Sequence, residues 1–280
     1  ASITPRSGPV HTYALDFAGG GLSMLERLPQ VGAVIGGDDD ERVARLMGLL
    51  SGILDDRAAR YTAVGADSLR AYREQPGRAN EPRVIVVLDG FGSFREQYDA
   101  GLQRQAVFAQ FQRLVNEGRG VGIHFAVTAD RASALPSSMQ GAFQHRVVLR
   151  MPDQDAYLAL GVPKDVLNAA SPPGRAMSAT NPNELQLAIL GRDPSPVGQS
   201  REIDKLAATI ALPSPPAPVR RLPERVPVEK VPVTVGGLPT LGMEDHSLGF
   251  VGFEPQGAYV VAGPPKSGLS SAVRWMAESL

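Results

Sequence analysis

Apolar and polar residues alternate along the first two thirds of the chain in blocks that are typical of strands followed by helices. Spacings of three and four between apolar residues predict a helix after Asp38–Asp40, another at 102–117 and a short one near 156–160. Because strands and helices alternate, we expect a doubly wound α/β layer with a mostly parallel sheet. The short apolar runs that predict strands are 12–17, 31–35, 83–89, 123–128, 146–150 and 184–190.

The pattern changes after about Pro194. A helix is predicted at 201–210, but 211–240 hold eight of the 24 prolines. Since proline fixes φ and lacks an N–H donor, this stretch favours an extended linker. The chain becomes strongly apolar again at 257–262, which predicts a strand, and a last helix is expected at 270–280. We therefore divide the chain into 1–192, a Pro-rich linker at 193–224, and 225–280.

Composition excludes several classes of function. The formal net charge is −1, from 28 basic and 29 acidic residues, so the chain lacks the basic excess that is usual in a free-standing nucleic-acid binder. It contains no cysteine, which rules out disulfides, thiolate zinc sites and cysteine nucleophiles. No apolar run approaches the length needed to cross a bilayer.

The segment GPPKSGLSS after the predicted strand at 257–262 has part of the pattern of a phosphate-binding loop. Gly263 and Gly268 have the required glycine spacing, and Ser270 occupies the position of the Mg²⁺-binding hydroxyl. The usual lysine position is Leu269, and Lys266 lies three residues too early. Loss of that lysine should impair hydrolysis more than binding. The alternative is a glycine-containing strand–helix turn that binds nothing.

A second candidate is VIVVLDG at 84–90. An apolar strand that ends in an aspartate can hold Mg²⁺ through water, and the next residue is often the glutamate that orients the attacking water. Here Asp89 is present, but Gly90 stands in the place of the glutamate. Apolar strands that end in aspartate are common in parallel sheets, so this motif alone is weak.

Taken in order, these segments resemble the FtsK/SpoIIIE ATPase family, and most closely the tandem modules of type VII secretion ATPases of the EccC/EssC type. The resemblance implies a RecA-like α/β sheet with flanking helices. Residues 10–192 would be one module without its phosphate-loop strand and helix, and 225–280 the start of the next. The segments that carry the resemblance are ALDFAGGGL (14–22), RVIVVLDGF (83–91), GRGVGIHFAVTADRAS (118–133) and PPGRAM (172–177).

The resemblance implies ATP and Mg²⁺ as possible, weakly bound ligands. Asp89 and Ser270 are the candidate metal ligands, and Arg146 is a possible arginine acting on a neighbouring subunit's site; its plainer interpretation is a surface arginine. The family is an ATPase family, but Gly90 and Leu269 predict that this chain is inactive. The candidate nucleotide-binding residues are Gly263, Lys266, Ser267, Gly268, Leu269, Ser270, Ser271, Asp89 and Thr128.

Three functions remain open on this basis. The first is a degenerate module, regulatory or substrate-recognising, of a hexameric, membrane-anchored secretion motor, with this part in the cytoplasm. Its partners would be adjacent ATPase modules, other subunits and a secreted protein. The second is part of a DNA translocase, although DNA is a less favoured partner. The third is an interaction scaffold that kept the fold and lost the nucleotide.

A last expectation concerns the sheet. If the phosphate-loop strand of such folds lies between 84–88 and 123–127, those strands should flank a gap. The apolar run at 257–262 could fill that gap, in its own chain or in a neighbour, and would bring Ser270 to Asp89. Backbone hydrogen bonds from 258–262 to either strand would support this arrangement.

Overall fold

Four parallel strands form the central sheet, in the order β2-β1-β3-β4. The computed structural model describes residues 8–152, 154–168, 170–181, 183–245 and 248–280. Asp16 pairs with both Gly36 and Asp89 in the sheet register, so the carboxyl ends of the first three strands meet at one edge. The strands are β1 (Val10–Asp16), β2 (Val31–Gly36), β3 (Arg83–Asp89) and β4 (Ile123–Val127).

Helices pack against one face of this sheet. The longest begins after Asp39, whose carboxylate accepts a 3.1 Å hydrogen bond from the Arg42 N–H and caps the helix as the acidic run predicts. Its buried positions recur at spacings of three and four, which confirms the predicted amphipathic pattern. The helices of this layer are α1 (Asp40–Ala63), α2 (Leu69–Arg73), α3 (Phe91–Tyr98) and α4 (Leu102–Glu117).

A small antiparallel sheet follows in the order β5-β6-β7. It has its own core, in which Val148 and Met177 pack with Tyr157 of a short helix. The strand predicted at 184–190 is shorter than expected and ends at Gln186. The elements are α5 (Ser137–Gln140), β5 (Val147–Leu149), α6 (Gln154–Ala159), β6 (Arg175–Ser178) and β7 (Glu184–Gln186).

The chain divides into two compact units between Val219 and Arg220. Part of the predicted linker therefore belongs to the first unit. Helix α7 (Pro196–Ala207) begins earlier than the predicted 201–210, with Ser195 as its cap. Its Asp204 forms a 2.7 Å ion pair with Arg27, so α7 is tied to the first unit.

The second unit holds a small antiparallel sheet and one helix. The indole N–H of Trp275 in the helix donates a 2.9 Å hydrogen bond to the Thr240 carbonyl of the central strand. None of the helix residues is buried. The elements are β8 (Thr234–Val235), β9 (Leu238–Met243), β10 (Phe250–Gly252) and α8 (Leu269–Glu278).

Two expectations about the strands are wrong. Residues 257–262 form no strand, because no neighbouring strand pairs with them, and Val260 is 90% exposed. There is also no gap between 84–88 and 123–127. β3 and β4 pair directly, with Val84 opposite Ile123 and Leu88 opposite Val127, and this makes the hydrogen bonds that a gap would lose. Within one chain, the C-terminal segment therefore does not complete the sheet.

No helix in the described parts of the chain is both long enough and apolar enough to span a membrane.

Candidate nucleotide site

Asp89 and Thr128 are joined at the carboxyl edge of the parallel sheet. Asp89 ends β3 and Thr128 follows β4, and the Thr128 hydroxyl donates a 2.5 Å hydrogen bond to Asp89 Oδ1. The Gly90 N–H donates to the same hydroxyl oxygen at 2.9 Å, and the Phe91 N–H donates to the Thr128 carbonyl at 2.9 Å. The structure thus brings together two residues that the sequence proposes as ligands. Thr128 is exposed and Asp89 is half-buried, so a ligand can reach them.

The position after Asp89 is closed to a side chain. Gly90 has φ +84°, ψ 53°, in the left-handed region that favours glycine. A Cβ atom there would lie 2.9 Å from the backbone carbon and oxygen of Phe17, and 3.1 Å from the Ala18 nitrogen. The Phe17 N–H in turn donates a 2.8 Å hydrogen bond to the Asp89 carbonyl, so the loop after β1 is fixed against this position.

Asp16 organises the loop that closes Gly90. Its Oδ1 accepts from the N–H groups of Ala18, Gly19 and Gly20 at 3.3, 3.2 and 2.9 Å. Its Oδ2 accepts from the Leu22 N–H at 2.8 Å. Burial raises the pKa of the Asp16 carboxyl, but the four N–H donors outweigh it and hold the pKa below its ordinary value. The carboxylate is therefore committed to its own loop.

An open cavity of about 410 Å³ lies between this loop and the residues that follow β2. Sequence reasoning did not identify it as a site. Its signals were the two glycine turns, Gly19–Gly21 and Gly36–Gly37, because glycine leaves space where a side chain would fill it. Beyond these turns it is lined by Asp16, Phe17, Asp38, Ser93 and Gln97.

Arg146 has a structural use. Its guanidinium donates to the carbonyl oxygens of Gln140 at 2.9 Å and Phe143 at 3.2 Å, just after α5. These bonds satisfy carbonyl groups that the end of a helix leaves without partners. The proposed action of Arg146 on a neighbouring subunit's site stays a prediction.

The glycine-containing loop before α8 has two residues with a left-handed backbone. Lys266 has φ +69° and Gly268 has φ +95°, so left-handed residues are interspersed along the loop. Gly263 approaches the Ser267 side chain closely; a Cβ at Gly263 would lie 2.5 Å from Ser267 Oγ. Ser270 and Ser271 lie exposed in the first turn of α8, where backbone N–H groups have no partner within the helix.

The candidate residues therefore form two separate groups. Asp89 and Thr128 lie in the first unit, and residues 263–271 lie in the second. Neither unit contains both a sheet-edge carboxylate of this kind and the glycine loop. Among the described residues, no group of three or more histidine, aspartate or glutamate side chains is arranged to hold a metal ion.

The chain is similar in sequence to ESX secretion system proteins. It is 30% identical over 185 residues to the ESX-4 secretion system protein EccC4 of Mycobacterium tuberculosis, with 63% of this chain and 14% of that protein covered. It is 27% identical over an alignment of 289 residues to the ESX secretion system protein EccC of Thermomonospora curvata, with 97% and 21% covered. The chain thus spans only 14% and 21% of the length of these two relatives.

Solved structures give the same picture. ATPases 2 and 3 of EssC from Geobacillus thermodenitrificans match with a TM-score of 0.79 at 20% identity, over 97% of this chain and 53% of that chain. This likeness confirms the predicted RecA-like α/β fold. ATPases 2 and 3 of Thermomonospora curvata EccC, solved in complex with a signal sequence peptide, match with a TM-score of 0.66 at 28% identity, over 86% and 44%.

The model of the FtsK/SpoIIIE family matches residues 2–176, which is more than half of the 280-residue chain. The chain belongs to the FtsK/SpoIIIE family.

Proposed function

We propose that this chain is a degenerate ATP-binding module of an FtsK/SpoIIIE-type motor, with a regulatory or substrate-recognising role in type VII secretion. The relatives named above are ESX secretion system proteins, which favours secretion over DNA pumping. The working motor is a membrane-anchored hexamer in this proposal, and the present chain is on its cytoplasmic side.

The observation that carries the proposal is the closure of position 90. A catalytic glutamate there would need a Cβ atom in space that the Phe17 backbone occupies at 2.9 Å, and a non-glycine residue in the left-handed region. The loop that Asp16 holds thus excludes a glutamate at position 90 through backbone contacts. Restoring the glutamate would therefore require more than the change of one side chain. A general base that positions water is worth on the order of 10²-fold or more in rate.

The fit to ATP and Mg²⁺ is partial. Family members use ATP with Mg²⁺, and Ser270 and the first-turn N–H groups of α8 are suitable for a phosphate and its metal ion, whereas Asp89 lies in the first unit. Leu269 stands at the position of the lysine that neutralises phosphate charge. Lys266 has a left-handed backbone, with φ +69°. We therefore propose weak nucleotide binding at 263–271, in which backbone N–H groups hold the phosphates, without hydrolysis.

The test is steady-state ATP turnover by the purified 280-residue chain. We expect no turnover above background, and the Asp89→Ala variant should be indistinguishable from the parent. Turnover near an ordinary ~1 s⁻¹ that Asp89→Ala abolishes would overturn the proposal.

Two binding measurements separate the remaining functions. Calorimetry with ATP and Mg²⁺ should show weak binding, and no heat up to about millimolar ATP would favour the scaffold without nucleotide. Anisotropy with a labelled DNA duplex at low salt should show no binding, because the chain has a net charge of −1. Tight, salt-dependent DNA binding would instead favour the translocase.

A further inference from the structure

A proline-rich segment, residues 212–219, lies in a groove of the first unit. We call it the strap. Its sequence is LPSPPAPV, in which two pairs of prolines are three residues apart, 213 with 216 and 215 with 218. It forms no helix or strand. Segments of this composition favour the polyproline II conformation, which has three residues per turn and leaves its backbone carbonyls without internal partners.

The strap offers its carbonyls to donors on the groove at the spacing of that conformation. Tyr13 Oη donates to the Ala217 carbonyl at 2.9 Å, and His11 Nε2 lies 3.1 Å from the Ser214 carbonyl. The two carbonyls are three residues apart, and their two donors are two residues apart on β1, so each pair shares one side of its segment. A third donor, Arg42 Nε, reaches the Val219 carbonyl at 2.9 Å.

Burial follows this spacing in the second half of the strap. Pro216 and Val219 are buried, whereas Pro213, Pro215, Ala217 and Pro218 are exposed. Val219 is 6% exposed and belongs to the main core of the first unit. The groove floor is shaped for this contact, because a Cβ atom on Gly32 would lie 2.9 Å from the Ala217 carbonyl oxygen and 3.1 Å from Pro216 Cβ.

The donors are also in the protonation states that the contact needs. Burial raises the pKa of Tyr13 to about 12, so its hydroxyl keeps the proton that it donates. Burial lowers the pKa of His11, so its ring is neutral near neutral pH, and Nε2 must carry the proton because a carbonyl can only accept.

We propose that this groove is a recognition site for proline-rich segments in the polyproline II conformation, which the strap occupies in its own chain and which a similar segment from a partner can occupy in exchange. Tyr13, Arg42 and Gly32 are its recognition residues. Proline-rich ligands suit exchange because little conformational entropy is lost when they bind. The second unit begins at Arg220, directly after the strap. Exchange of the strap would therefore release the chain segment that connects the second unit to the first.

Weak intrinsic affinity of the groove for the strap is sufficient to keep the strap docked. A segment on the same chain faces its site at an effective concentration on the order of millimolar, so a dissociation constant of roughly 100 µM keeps the strap docked. A free peptide must outcompete it. The unoccupied groove is therefore the form in which binding in trans can be measured.

The first experiment uses the full chain with 212–219 replaced by eight glycine and serine residues, and a fluorescein-labelled peptide of sequence LPSPPAPV. We expect the peptide to bind this variant but not the parent chain. Aspartate at the peptide position of Pro216 should abolish binding, whereas aspartate at that of Pro215 should not. Binding that ignores this difference, or no binding to a variant with a parent-like circular dichroism spectrum, would overturn the proposal.

Substitution in the groove gives a second readout. Adding Tyr13→Phe to the strap-replaced chain should weaken the peptide about three- to tenfold, since one neutral hydrogen bond is lost. Tyr61→Phe is the control, because its buried hydroxyl has no hydrogen-bond partner. Equal affinity in the two variants would contradict the assignment of Tyr13.

A third measurement does not depend on the replaced strap. In the parent chain, Pro216→Asp should speed tryptic cleavage after Arg220 and Arg221 several-fold, and Pro215→Asp should leave it unchanged. Both arginines are already exposed in the parent chain. A difference in cleavage rate between the two variants would therefore come from release of the strap. The same cleavage rate in both variants would show that the groove does not hold the strap through Pro216.

Discussion

At the scale of single residues, close backbone contacts at the carboxyl edge of the sheet exclude a side chain at position 90. Gly90 and the Asp16 loop are coupled, because the loop that four N–H bonds fix onto Asp16 is the one that touches Gly90. Composition and motif reasoning could find Asp16 and Gly90 separately. It could not find their coupling, because the two positions are more than 70 residues apart in sequence and meet only through strand pairing.

Substitution of Gly90 tests this coupling. Gly90→Ala should lower the free energy of unfolding by about 2–4 kcal/mol, from left-handed strain of about 1 kcal/mol and from displacement of the Phe17 backbone. Gly90→Glu should destabilise at least as much and restore no ATP turnover. Urea unfolding measures the first effect.

Gly65→Ala is the matched control for strain alone. Gly65 has φ +66°, and a Cβ there would meet nothing within 4 Å, so we expect a loss of about 1 kcal/mol. Equal losses at the two glycines would show that Phe17 does not restrict position 90.

The pH dependence of stability provides a second test at this scale. Because the folded-state pKa of Asp16 is lowered, the unfolded state binds more protons in acid. Its contribution is therefore complete above about pH 4 and is lost as pH falls through the lower folded pKa. Asp16→Asn should lower the free energy of unfolding near neutral pH by about 1–3 kcal/mol and make stability less sensitive to acid.

Urea midpoints across this acid range measure the change, and Asp38→Asn is the control because Asp38 is exposed at the same sheet edge. If Asp16→Asn retained the acid dependence of the parent chain, the N–H bonds would not be its source.

At the scale of elements, strands and long helices were predictable, and elements that depend on partners were not. The run at 83–89 is apolar on both faces, as a central parallel strand requires. Its Val84, Val86 and Leu88 are buried, but Ile85 and Val87 are only half-buried, so the second face is partly open. The failure at 257–262 has a related cause, since β-branched residues favour a strand only where another strand accepts their hydrogen bonds.

Several short elements were missed, and two of them show the local reasons. α3 begins at Phe91 with no polar cap, because the left-handed Gly90 precedes it, so no capping signal marks its start. β6 (Arg175–Ser178) is only four residues long and has too few positions to show an alternating pattern. The candidate ligand residues remain predictions, and the strand at 257–262 that was expected to bring Ser270 to Asp89 does not form.

A buried arginine joins α1 to the segments that precede β3 and β4. Arg57 of α1 is 3% exposed and donates to the Val121 and Pro82 carbonyls at 2.9 and 2.7 Å. Its Nε also lies 2.9 Å from Glu81 Oε1. Arg57→Ala should lower the free energy of unfolding by about 3 kcal/mol, because it leaves buried acceptors without donors.

Arg113→Ala is the control in the same denaturant series. Arg113 also pairs with two carboxylates, Asp55 and Glu117, but on the surface, so its loss should cost less than about 1 kcal/mol. A similar cost for the two variants would mean that Arg57 stabilises no more than a surface ion pair.

At the scale of the whole molecule, the division after Val219 predicts two unfolding transitions. Trp275 is the only tryptophan, and it lies in the second unit, where α8 has no buried residue. The second unit should unfold first because a small domain buries a small share of its surface. Tryptophan fluorescence should therefore change at lower urea concentration than far-ultraviolet circular dichroism, which the larger unit dominates. Superimposed curves would contradict two independent units.

The docked strap also has a consequence for the order of events during protein synthesis. Tyr13 and Ala217 are 204 residues apart, so their hydrogen bond cannot form until nearly the whole first unit has left the ribosome. At roughly 5–20 residues per second, β1 would wait on the order of 10–40 s for this partner. During that interval the groove is open to solvent, and any proline-rich segment nearby, including that of another nascent copy, meets it before the chain's own strap exists.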